Sequence, residues 1–155
     1  MSTEPLSRRR PGVSLVELVV VLTILSVISA AGALALRRGL EVYGTRGARD
    51  SMASAVARAR SLALANGAAL LVVDPVAASL WIEAPPGVRS GEPLRLGDVF
   101  GVTVSADHHD AGDGPITLEF DGLGFGRVAS RTFRIRRGST ESRLTLSSYG
   151  RPRRW

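Results

Sequence analysis

Hydrophobic positions divide the chain into parts of different period. From Leu18 to Leu36 nineteen residues pass without a charge, and the longer run from Val13 to Leu36 spans twenty-four residues interrupted only by Glu17. As a helix the longer run measures about 36 Å, enough to cross a hydrocarbon layer of about 30 Å. Beyond Leu36 the polarity changes but a helical period persists, with Met52, Val56, Ala59 and Ala63 recurring every three or four residues and Arg49, Arg58 and Arg60 on other faces. This predicts an amphipathic helix to Ala65, stopped by Asn66-Gly67, since both residues tolerate the left-handed conformation that ends helices. Gly39, Gly44 and Gly47 each cost a helix interior about 1 kcal/mol relative to Ala, which predicts a flexible neck over 37–47.

From Ala68 the period becomes two. Ala68 to Val73 and Ser79 to Glu83 read as strands around an Asp74-Pro75 turn, and Pro85-Pro86-Gly87 breaks the chain. Leu94 to Leu96 and Val99 to Val104 read as further strands, and Ile116, Leu118 and Phe120 alternate with polar neighbours. Phe133 and Ile135 alternate with Arg134 and Arg136, and after a Gly138 turn Leu144 and Leu146 alternate with Arg143 and Thr145, which describes a hairpin with one wet face. A long helix followed by antiparallel strands is an α+β layout in which the helix's apolar stripe seals a sheet.

With 155 residues the chain supports one modest domain and no second independent core. The absence of cysteine removes disulfides, thiolate chemistry and cysteine-based zinc sites, and leaves the redox compartment undecided. The net charge of +6 comes from arginine alone against Asp and Glu, because there is no lysine; a composition bias accounts for this as well as anion binding does.

Three readings compete for the apolar run. Arg8 to Arg10 and Ala33-Leu34-Ala35 resemble the ends of a secretory signal, but the run is too long for its apolar region. Ser7-Arg8-Arg9-Arg10 matches a twin-arginine signal only weakly, because Pro11 and Gly12 follow. Neither explains Glu17, whose ionised carboxylate costs about 2.5–3.5 kcal/mol at a helix centre and less toward the interface. Cleavage between Gly12 and Val13 supplies a partner: the new amine at Val13 lies four residues from Glu17, and a neighbouring copy's amine can neutralise the acid. The bland alternative is an ordinary single-span anchor with a stray acid.

Gly12, Val13, Ser14, Leu15, Val16 and Glu17, followed by the aliphatic run, resemble the class III prepilin signal of type IV pilins and type II secretion pseudopilins. The resemblance implies that a prepilin peptidase cuts after Gly12 and methylates the Val13 amine, leaving Glu17 at the fifth mature position for assembly. Val13 stands where that signal commonly has Phe, a departure that bears on methylation more than on cleavage. Major pilins often carry a helix-kinking proline, and its absence between Pro11 and Pro75 favours a minor subunit. The stretches ARDSMASAVARARSLALANGAALLVV, LEFDGLGFG and SSYGRPR resemble H-type pseudopilins and the related minor type IV pilins. The implied organisation is a leader at 1–12, a transmembrane assembly helix at 13–36, a neck and amphipathic helix at 37–66, and a periplasmic β-rich domain at 67–155. The implied partners are other pilins or pseudopilins, the prepilin peptidase and the bacterial inner membrane, which the chain spans once; no cofactor is implied.

Other candidates for chemistry are weaker. Asp107-His108-His109-Asp110, with Asp113, reads as a polar loop because no metal-ligand spacing accompanies it. Gly122-Leu123-Gly124-Phe125-Gly126 precedes a strand, so it reads as a turn and not a phosphate loop. There is no G-x-S-x-G elbow and the two histidines share one loop, so no enzyme is expected. In the tail, Arg151, Arg153 and Arg154 stand beside Trp155, a combination that can bind phosphates and stack on a base. Gly150, Arg151 and Arg153 resemble a G-R-x-R ending found in DNA-uptake minor pilins; the alternatives are a solvated basic tail and a turn that closes the sheet. The expectation is a secretion pseudopilin first and a DNA-binding minor pilin second.

Overall fold

The computed structural model describes residues 14–108, 113–127 and 130–154. The chain forms two compact units, Met1–Arg38 and Gly39–Trp155. Helix α1, Leu15–Asn66, supplies the described part of the first unit and the opening of the second. It starts after Ser14, whose carbonyl accepts the Leu18 amide at 3.1 Å, and it stops at Gly67, whose φ of +83° a residue with a Cβ adopts only under strain. In the first unit every described residue is exposed.

Residues 37–47, where the sequence suggested a neck, are assigned to α1 throughout. Gly44 and Gly47 serve close packing there: a Cβ on Gly44 would lie 2.7 Å from the Phe100 carbonyl oxygen, and one on Gly47 would lie 2.7 Å from the Phe100 ring. Thr45, Ala48, Met52, Val56, Ala59 and Ala63 form the buried stripe of the helix.

Among the described residues eight strands make two four-stranded antiparallel sheets where the pattern suggested one. The strands are β1 Ala68–Asp74, β2 Ser79–Glu83, β3 Leu94–Arg95, β4 Thr103–Ala106, β5 Ile116–Asp121, β6 Arg131–Arg137, β7 Thr140–Leu146 and β8 Pro152–Arg154. They are ordered β3-β2-β1-β5 and β4-β6-β7-β8. One hydrophobic core joins both sheets to α1, centred on Leu71, Leu118, Phe120, Phe133, Ile135 and Leu144, all fully buried. Each such side chain contributes about 1.5–3 kcal/mol of burial.

The expected strand Val99 to Val104 is replaced by a short helix, α2 Leu96–Phe100, and then by β4. Leu96 is buried in the core, and Gly101, at φ 64°, caps the turn by donating its amide to the Gly97 carbonyl at 2.8 Å. Alternation resumes only from Val102, where Val102, Val104 and Ala106 point inward. The β6–β7 hairpin does have its wet face, with Arg134 directly opposite Arg143 and Thr132 opposite Thr145.

Candidate functional site

The apolar half of α1 is the first candidate. Leu15 to Leu36 present Leu, Val and Ile side chains that are more than half exposed, so no described part of the chain covers them. The helix is long and apolar enough to cross a membrane. Two of its hydroxyls bond within the helix: Thr23 donates to the Val19 carbonyl at 2.7 Å and Ser26 to that of Thr23 at 2.7 Å, which suits an environment without water to hydrogen-bond them. Glu17 stands in the first turn, where the unpaired amides of the helix favour negative charge. Gly12 and Val13 lie outside the described residues.

The second candidate is the carboxyl-terminal tail, which folds back into the domain. Ser147 donates its amide to the Arg151 carbonyl at 3.0 Å, and the Ser147 hydroxyl accepts the Arg151 amide at 3.1 Å. Gly150, at φ 72°, completes the turn; a Cβ there would lie 2.7 Å from the Phe120 ring. After the turn β8 pairs with β7, placing Arg153 opposite Thr145 and Arg154 opposite Leu144. The sheet-closing turn and the exposed basic tail therefore coexist, with Arg151 and Arg153 both exposed. Trp155 lies outside the described residues.

Sequence reasoning missed the aromatic residues that share a cleft with these arginines. Phe125, Ser147, Tyr149, Arg151 and Arg153 line a cleft of about 480 Å³ with no carboxylate among them. Phe125 comes from the β5–β6 loop, held there because Asp121 accepts the amides of Leu123 and Phe125 at 3.0 and 2.9 Å and the Gly126 amide donates to the Tyr149 carbonyl at 3.2 Å. Arg60 of α1 anchors the same loop, donating to the Gly124 carbonyl at 2.9 Å. The glycine-rich stretch is thus a turn, as read, and its phenylalanine is the part that faces the tail.

Elsewhere the charged groups explain one another. Arg134 and Arg143 face each other across the hairpin, a repulsive arrangement, offset by Asp107 at 2.8 Å from Arg134 and Glu141 at 2.7 Å from both Arg136 and Arg143. Hydrogen bonds from Arg143 and Arg136 hold the Glu141 carboxyl below its ordinary range. Asp107 is therefore an ion-pair partner, and among the described residues no group of His, Cys, Asp and Glu could hold a metal; His109 and Asp110 lie outside them. The Trp81 indole and the Gly87 amide donate to Glu83 at 2.9 and 3.1 Å and lower its carboxyl, with Arg89 stacked 4.8 Å from the indole centre.

Residues 7–33 match the family described as "Prokaryotic N-terminal methylation motif". No curated protein matches the sequence. The folded chain is similar to the type IV minor pilin FimU of Pseudomonas aeruginosa in two crystal forms. One superposes with a TM-score of 0.52 and 20% identity, over 72% of this chain and 87% of that one. The other gives 0.51 and 21%, over 71% and 91%. The fold is pilin-like. The matched motif covers the start of the apolar half of α1, and the α+β domain follows on the same helix.

Proposed function

We propose that the protein is a minor pseudopilin of a type II secretion pseudopilus. A prepilin peptidase cuts between Gly12 and Val13 and the new Val13 amine is methylated. The apolar half of α1 holds the subunit in the bacterial inner membrane with its domain on the periplasmic side, and packing against the helices of other subunits draws it into a filament. Glu17 carries the reading: it is an acid in the first turn of α1, in a stretch from Leu15 to Leu36 that is exposed and otherwise uncharged, within a matched methylation motif. A charge at such a position is tolerated when an opposite charge meets it, and the amine of a neighbouring subunit supplies one at the required end of the helix. Intact-mass measurement of the mature chain tests this. A chain beginning at Val13 and carrying one added methyl group supports the proposal, and any other start refutes it.

The cleft favours a second reading, a type IV pilus minor pilin that captures DNA through Arg151, Arg153 and Arg154. Phe125 and Tyr149 flank two of those arginines, combining stacking surfaces with cations as nucleic-acid grooves do. Three phosphate contacts give a slope of about −2.7 in the logarithm of duplex-DNA affinity against that of salt. If replacing the three arginines by alanine abolishes such binding, the DNA reading stands. If the chain binds no DNA and its deletion blocks export of a secreted protein, the secretion reading stands.

A further inference from the structure

The aromatic rings of the carboxyl-terminal cleft constrain what its arginines can hold. Phe125 and Tyr149 are 47% and 66% exposed, and they line the cleft with Ser147, Arg151 and Arg153. The rings come from different turns, Phe125 from the β5–β6 connection and Tyr149 from the β7–β8 connection. Each turn is closed by its own bond: Asp121 accepts the Phe125 amide at 2.9 Å, and the Ser147 carbonyl accepts the Gly150 amide at 2.8 Å. The Gly126 amide then ties one turn to the other by donating to the Tyr149 carbonyl at 3.2 Å. The rings are therefore placed before a ligand arrives, which lowers the cost of binding.

From the cleft the positive surface continues onto the wet face of the second sheet. Arg153 stands opposite Thr145, and Thr145 opposite Thr132, with the two threonine hydroxyls 3.1 Å apart. Arg143, two residues before Thr145, shares its face and stands opposite Arg134. Arg134, Arg136 and Arg143 share two carboxylates, Asp107 and Glu141, and the exposed Arg153 adds a further cation, so the face keeps a positive excess. In a duplex every base face is covered by its neighbours and only the edges show in the grooves, which leaves a ring set in a cleft nothing to stack on. Unpaired bases offer their faces to such rings while the backbone follows the cations. We infer that the cleft takes single-stranded DNA in preference to duplex, with bases against Phe125 and Tyr149 and phosphates running from Arg151 and Arg153 toward Arg143. The inference rests on the reading of the tail as a DNA-binding element.

The test uses the full chain in a non-ionic detergent and fluorescence anisotropy with three labelled DNAs of about 16 nucleotides, within the site sizes of single-strand binding folds. They are oligothymidylate, a blunt duplex, and an abasic strand that keeps the phosphates and loses the bases. Oligothymidylate is expected to bind at least about tenfold more tightly than either of the others. Phe125→Leu and Tyr149→Ser should each weaken it by about tenfold and leave duplex binding unchanged, because stacking is lost and charge is kept. Replacing Arg151 and Arg153 together by alanine should weaken all three. Duplex or abasic DNA bound as tightly as oligothymidylate overturns this inference and leaves the DNA reading standing, and so does binding indifferent to both ring substitutions. If none of the three binds, the DNA reading fails and the inference with it.

Discussion

Replacing glycine by alanine at three places on one helix separates close packing from flexibility. A methyl on Gly44 would stand 2.7 Å from both the Phe100 carbonyl oxygen and Arg137 Nη1, atoms that are themselves hydrogen-bonded at 2.7 Å. The methyl must displace α2 or break that bond. Overpacking costs about 1–3 kcal/mol and loss of a hydrogen bond to a charged group about 1.5–3 kcal/mol. The gain in helix propensity returns only about 1 kcal/mol. Gly44→Ala should therefore destabilise the domain by up to about 2 kcal/mol, lowering Tm by up to about 8 °C at roughly 4 °C per kcal/mol.

Gly39 has nothing within 4 Å of the same position, so Gly39→Ala should be neutral or stabilise by up to about 1 kcal/mol. Gly47→Ala should fall between the two, because the atoms it meets belong to the Phe100 ring, which can rotate. The assay is thermal unfolding of the full chain in detergent, followed by near-ultraviolet circular dichroism. Tm values for Gly44→Ala and Gly39→Ala that move in the same direction would refute the account of these glycines as contact points.

Glu17→Gln should leave membrane insertion intact, because it removes the costly charge, yet abolish incorporation into filaments recovered by shearing; unchanged incorporation would sink the pairing role of the acid. Glu141→Gln should lower stability at neutral pH. The folded-state carboxyl is depressed by Arg143 and Arg136, so its contribution is present above the ordinary carboxylate pKa and is lost as pH falls through the folded value. Denaturant midpoints of wild type and variant should accordingly converge in acid, and a gap that persists there would contradict this. Gly150→Ala should destabilise by about 2–4 kcal/mol, combining left-handed strain with overpacking against Phe120, which chemical denaturation would register as a lower midpoint at unchanged slope. Alanine at Arg151 and Arg153 should leave thermal stability within about 0.5 kcal/mol, because both side chains are exposed and the turn is held by Ser147 and backbone groups.

Local pattern alone determined much of this protein. An apolar run holding one acid after Gly12-Val13 declares a membrane-length helix and a methylation motif. The three- and four-residue recurrence from Met52 to Ala63 declares the buried stripe of α1, and the alternation about Gly138 declares the arginine-studded face of the β6–β7 hairpin. These features are legible because burial on one face of a helix or strand imposes a period that composition cannot hide. What the pattern could not decide is which segments meet. It took Gly44 and Gly47 for weak points because propensity knows nothing of Phe100 and Arg137 arriving from the other side. It extended a strand through Val99 because only burial of Leu96 and a left-handed Gly101 fold that stretch into α2. It placed the tail arginines beside Trp155, which lies outside the described residues, and gave no sign that Phe125 and Tyr149 line one cleft with Arg151 and Arg153. Such juxtapositions arise from long-range packing, whose energy depends on residues distant in sequence, and only the tertiary structure brings those residues together.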